Sequence, residues 1–283
     1  MRAKDLQSHL RSLNGGWMDP DHTVDTFKAG DPEEEVQGIA VGWMSTRRAL
    51  EQALALGCNV FVTHEPTYYT HEDEPDHPTG QLPVAREKRA FIEESGLVII
   101  RCHDLWDQLP GRGIPDTWGS ALALGKAVGG EGYFRVYDVS GRTAGDVARQ
   151  VAQRTSHFGQ EAVQFIGDSE KPVNRVVIGT GAITPLFEYM SRFGESYGVD
   201  LAVCTDDGFT YWKHGAYALD ANFPVIIVNH ATSEEAGMGA LADHLRAEFP
   251  EVPVHFIREG CMYELIHPDA GILGAPSADE AFH

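Results

Sequence analysis

Three strand-like runs in this sequence each end in a histidine with a carboxylate close behind. Cys58 to Thr63 runs into His64 and Glu65. Leu97 to Arg101 runs into His103, Asp104 and Asp107, and Val225 to Val228 runs through Asn229 into His230, Glu234 and Glu235. One histidine at a strand end is more often a hydrogen-bonding core residue than a ligand. Three of them, each followed within four residues by an acid, fit a mixed nitrogen–oxygen metal site better. That donor set suits zinc, iron, manganese or nickel and does not select among them. His230 and Glu234 are four apart, so a helix beginning near Ala231 places both on one side of its first turn.

Such donors need elements that deliver them to a common edge. Ser45 caps a helix running to about Leu56, Gly57 stops it, and the strand ending at Thr63 follows. A β-α-β unit of this kind has parallel strands and a right-handed crossover, and ligands bind outside the carboxyl ends of an open parallel sheet. Further helices are expected over 4–13, 82–94 and 233–249, the last with Leu241, His244 and Leu245 at helical spacing. Residues 70–80 are polar, broken by proline and carry His71 and His77; the segment reads as a surface loop, with a lid as the alternative.

The composition loosens at Gly129 and Gly130, where a second strand and helix series begins. In it Thr184 and Pro185 are expected to open a helix. The expected organisation is therefore α/β, with two interlinked α/β domains and a mostly parallel sheet in the metal-binding one. That domain is built from 1–128 plus 222–283, with 129–221 inserted.

The bulk numbers limit what the chain can bind. Its 283 residues are 42% hydrophobic, and 42 acids against 22 basic residues give a net charge of −20. That balance argues against nucleic acid or an anionic membrane surface as the main partner, since both require clustered Lys and Arg. The four cysteines, Cys58, Cys102, Cys204 and Cys261, show no CxxC spacing and read as reduced core or near-core residues. No signal-peptide-like apolar region opens the sequence and no run is long enough to span a bilayer, so the expected location is cytoplasmic.

The ordered set of a His-containing motif after one strand, His103-x-x-x-Asp107 after another and His230-x-x-x-Glu234 before a helix resembles the NIF-three-like proteins, also known as dinuclear metal centre hexameric proteins or type 2 GTP cyclohydrolase homologues. The resemblance runs from the N-terminal helix to the strand Val252 to Ile257, and Asn229 to Glu234 is its most specific part. It implies two interlinked α/β domains, a toroidal hexamer and two metal ions per subunit. It gives ligand roles to His64, His103, Asp107, His230 and Glu234. The family's second histidine after the first strand is Glu65 here, a residue that can ligate the same ions. A Thr-Gly-Glu pattern of the middle domain appears as Thr205-Asp206-Asp207.

The expected activity is that of a metal-dependent hydrolase acting on a nucleotide or a small phosphorylated or cyclic molecule, a cyclohydrolase-like reaction among them. His64, Glu65, His103, Asp107, His230 and Glu234 would hold two divalent ions, while Glu235 and Asp104, each next to a ligand, are the candidate general bases. The alternative is a non-catalytic metal-binding or scaffold protein that forms a ring.

Overall fold

A computed structural model describes residues 1–74, 76–182, 186–267 and 270–273. The chain forms two compact units. The first comprises Met1–Gly113 and Gly237–Glu259, the second Ile114–Ala236 and Gly260–His283. Each contains a five-stranded sheet flanked by helices.

In the first unit the strand order is Phe27–Ala29, Val98–Arg101, Val60–Thr63, Ile39–Gly42, Val254–Ile257. The last four are mutually parallel, and only Phe27–Ala29 runs antiparallel, against Val98–Arg101. All residues of the three central strands are buried, as expected of a parallel sheet covered on both faces. Ala40, Leu50, Phe61, Ile92, Ile99 and Ile257 belong to one apolar cluster. Register then does the positioning. Gly42 pairs with Thr63 and Thr63 with Arg101, so the strands end side by side.

The helices of this unit begin and stop for identifiable reasons. Helix Arg47–Ala55 is capped by Thr46, whose side chain accepts from the Ala49 N–H, one residue later than the expected Ser45. Ser45 is instead buried and donates to Thr67. Helix Pro83–Ser95 opens on proline and ends at Gly96, whose φ of 69° is the left-handed conformation that glycine adopts at little cost. Gly113 is required by close approach, since a Cβ there would lie 2.4 Å from the Trp106 carbonyl oxygen.

The second unit has the order Phe134–Thr143, Pro172–Gly179, Leu201–Thr205, Val225–Val228, Gln164–Ile166. Its three middle strands are parallel and both edge strands antiparallel. Strand Val225–Val228, which leads to His230, therefore belongs to this sheet and not to the one carrying His64 and His103. It is completely buried and hydrogen-bonded on both sides, with Thr205 opposite Val228 and Gln164 opposite Ile227. The second unit extends beyond the expected 129–221 at both ends: Val225–Val228 pairs with Leu201–Thr205 and Gln164–Ile166, and Trp118 and Leu122, from and just after helix Ile114–Ala121, belong to the apolar cluster of this sheet.

Helix Ala144–Thr155 starts with a capping box formed by Thr143 and Asp146. The helix expected to open at Thr184 and Pro185 is helical from Leu186 to Tyr197, with a π turn at Tyr189–Phe193; Thr184 and Pro185 themselves lie outside the described residues. Helix His230–Glu248 begins in the second unit and continues into the first. Cys58, Cys102 and Cys204 are buried, Cys261 is partly so, and all four are free thiols. Among the described residues no helix is long and apolar enough to cross a membrane.

Candidate functional site

His64 follows Thr63 directly, and His103 lies two residues beyond Arg101 on the register-paired neighbouring strand, so both emerge at one sheet edge. Their rings stack at 4.6 Å between centroids. His64 is completely buried, and its Nδ1 lies 3.1 Å from the Cys102 carbonyl oxygen. A carbonyl only accepts, so Nδ1 carries the proton and Nε2 of the neutral ring presents a lone pair. His103 repeats the arrangement with a carboxylate, its Nδ1 donating to Asp104 Oδ1 at 2.9 Å. Metal-binding histidines are usually oriented in this way by an acceptor on the other ring nitrogen.

His64, Glu65 and His103 each offer a ligand atom within 4.8 Å of the others, an N2O set suited to a divalent ion. Asp107 adds a nearby acceptor. It is 4% exposed, and its Oδ1 faces His64 Nε2 at 3.4 Å without a hydrogen-bond partner among the described residues. Two lone-pair atoms facing each other in a buried place are unfavourable unless a proton or a cation lies between them. The residues present therefore fit a metal ion.

Several neighbours hold this arrangement, and the sequence did not single them out. Asp25 accepts from the backbone N–H groups of His103, Asp104 and Leu105 and so caps the short helix Asp104–Gln108. Burial raises the Asp25 carboxyl above its ordinary range, against the pull of the His103 and Leu105 N–H groups. Asp104, a candidate base, gives one oxygen to His103 and the other to the Thr23 hydroxyl and the Val24 N–H. Burial works against its charged form, but the bonds from His103 and Thr23 outweigh it and hold the carboxyl well below the usual range.

The segment after His64 is pinned in place. Asp73 is buried, accepts from the Tyr68 N–H at 2.6 Å and lies 3.7 Å from Lys28 Nζ. Lys88 donates to the Thr67 carbonyl at 2.6 Å, and burial pushes its ammonium pKa down to about 8. These anchors bring the exposed His71 ring edge-on to His103, at 5.5 Å. His77 has a local task, accepting from the Thr79 N–H at the start of the turn Pro78–Gln81.

In the second unit His230 opens the long helix, with Glu234 one turn on. His230 Nε2 lies 3.1 Å from Glu234 Oε2, and both residues are buried. The register of Thr205 with Val228 brings Asp206 and Asp207 alongside Asn229 and His230. Asp206 accepts from the His230 N–H and from the Asn229 side chain, each at 3.0 Å. Asp207 accepts from His230 Nδ1 at 3.3 Å, and that hydrogen bond lowers its carboxyl pKa. His230 thus presents Nε2 beside a carboxylate, as His64 does. Glu235, the other candidate base, is buried and accepts from the Gly260 N–H at 2.5 Å.

Fold and donors together define a two-sheet α/β protein whose oriented histidines and buried carboxylates could hold a metal ion. The sequence model of the Duf34/NIF3 (NGG1p interacting factor 3) family matches residues 5–260, and the chain belongs to that family. It is 24% identical over 263 residues to a Chlamydia pneumoniae protein named GTP cyclohydrolase 1 type 2 homolog, covering 88% of this chain and 95% of the other. A Bacillus cereus protein related to NIF3 superposes with a TM-score of 0.76 at 12% identity, covering 94% of this chain and 99% of that one. A hypothetical protein of Staphylococcus aureus gives 0.73 at 16% identity, with coverage of 94% and 99%. At these identities the solved structures speak for the fold alone.

Proposed function

We propose that this protein is a metal-dependent hydrolase with two divalent ions per chain, held by His64, Glu65, His103, Asp107, His230 and Glu234. One observation carries the reading. In His64, His103 and His230 alike, Nδ1 is held by a carbonyl or carboxylate acceptor, which leaves Nε2 as the lone-pair atom, and in His64 and His230 that atom faces a buried carboxylate oxygen. A core histidine needs no such repeated arrangement, whereas a ligand does.

Bound divalent ions would supply Lewis acidity toward an oxygen of the substrate. The chain's own residues have separable tasks. Cys102, Asp104 and Asp207 fix the three imidazole tautomers. Asp25 holds the backbone at His103, and Asp206 does so at His230. Asp104 and Glu235 remain the candidate bases, although each already accepts positioning hydrogen bonds. The proposed substrate is a nucleotide or another small phosphorylated or cyclic molecule, which agrees with the name of the Chlamydia pneumoniae relative. The proposed assembly is a homo-oligomer of six chains, closed by repeated interfaces.

The test is to strip the protein with chelator, reload it separately with zinc, manganese, iron or nickel, and assay nucleotides and phosphoesters. Hydrolysis that depends on the added ion and disappears in His103→Ala supports the reading. Full ion loading with no turnover of any substrate would leave a non-catalytic metal-binding protein. Light scattering checks the assembly, since a monomer at micromolar concentration removes the ring.

A further inference from the structure

The residue beneath the first-unit cluster is a fully buried arginine. Arg101 closes strand Val98–Arg101, and its side chain has no exposed surface. Its guanidinium fork engages a single stretch of chain. Nε donates to the His64 carbonyl at 2.9 Å, Nη1 donates to the His71 carbonyl, and Nη2 lies 3.7 Å from Glu65 Oε2. Nη2 is buried and has no hydrogen-bond partner among the described residues.

A guanidinium keeps its charge inside a protein, and a buried charge needs a counter-charge. Among the described residues Glu65 is the carboxylate within ion-pair reach. The same carboxylate supplies one of the three ligand atoms of the cluster with His64 and His103. It therefore faces two cations, one permanent and one to be bound. Lysine is no substitute, because one ammonium cannot present three donors in a fixed plane to His64, Glu65 and His71.

We infer that Arg101 is a positioning residue of the ion cluster: its fork fixes the His64–Glu65 segment, and it shares the Glu65 carboxylate with the bound ion. The inference rests on reading His64, Glu65 and His103 as an ion site. Nη2 has a donor to spare for Glu65, and a carboxylate held beside it would be oriented for an ion. Loss of the fork releases the segment and weakens ion binding even where the fold persists.

The experiment uses full-length, chelator-stripped protein as wild type, Arg101→Lys, Glu65→Gln and the double variant Arg101→Met/Glu65→Gln. Zinc affinity is read by chelator competition well below the melting temperature, and the melting temperature is read without metal. Arg101→Lys is expected to bind zinc at least ~10-fold more weakly, the lower end of what loss of a ligand-orienting partner costs. Glu65→Gln is expected to lower the metal-free melting temperature, because it strands a buried charge, and the double variant is expected to recover part of that loss. Wild-type zinc affinity in folded Arg101→Lys would make Arg101 a structural strut and overturn the inference. If Arg101→Lys does not fold, the Glu65 arm decides: an unchanged metal-free melting temperature in Glu65→Gln overturns the shared carboxylate. If wild type takes up no ion, the proposed function fails, and the metal-free arm still reports whether Arg101 and Glu65 are paired.

Discussion

The two units reach the same imidazole orientation from different sources. In the first, the two acceptors sit beside the candidate ligands at the ends of paired strands, the Cys102 carbonyl serving His64 and the Asp104 carboxylate serving its neighbour His103, while Asp25 holds the backbone from far along the chain. In the second, the support comes from the neighbouring strand, where Asp207 is brought to His230 by the register of Thr205 with Val228. The first unit offers three ligand atoms from its own chain segments, the second a histidine and a glutamate one helical turn apart. Ligand loss in the first unit should therefore cost more than ligand loss in the second.

The largest effect expected is on His64→Ala or His103→Ala, each of which should lose an ion and the thermal stabilisation that ion gives, as read by elemental analysis and melting with and without metal. Next is His230→Ala, which should lose at least one ion while retaining the first-unit cluster. The exposed His22→Ala should change neither. Retention of both ions in His230→Ala, with only a lower melting temperature, would make His230 a core hydrogen-bonder and erase the parallel between the units.

Asp207→Asn comes third. The amide can turn its oxygen to His230 but carries no charge, so ion affinity should fall by roughly 10–100-fold, the usual cost of altering a ligand's partner. A titration that shows no change would place the orientation of His230 elsewhere, in Asp206 and the helix start.

The smallest effect concerns the Lys88 anchor of the segment after His64. Its folded-state pKa is about 8 against an ordinary 10.5. Below about 8 the ammonium is charged in both states and the folded state bears the full desolvation cost. Above 10.5 both states are neutral and the cost is gone, so metal-free stability should rise with pH across that window. Lys88→Met should flatten that rise in melts at pH 7.5 and 10. An equal rise in both proteins would show that another group is responsible.

What the sequence showed and what it concealed follow the same division. His64, His103 and His230 were visible because each ends an apolar strand, and His230 with Glu234 because of helical spacing. The α/β class was visible in the alternation of those strands with helices. Strand pairing was not, so Val225–Val228 was expected in the first sheet, whereas its neighbours Leu201–Thr205 and Gln164–Ile166 place it in the second. Asp25 and Asp207 were concealed for the same reason, since they act on residues far away in sequence. His71 read as a loop residue because nothing local shows that Arg101 holds its carbonyl.

The most direct test of the central claim is elemental analysis of wild-type protein after stripping and reconstitution with zinc or manganese. Close to two ions per chain is the expected result. A chain that returns from dialysis with none would contradict the reading of His64, Glu65, His103, Asp107, His230 and Glu234 as metal ligands, and a single ion would contradict the dinuclear form of it.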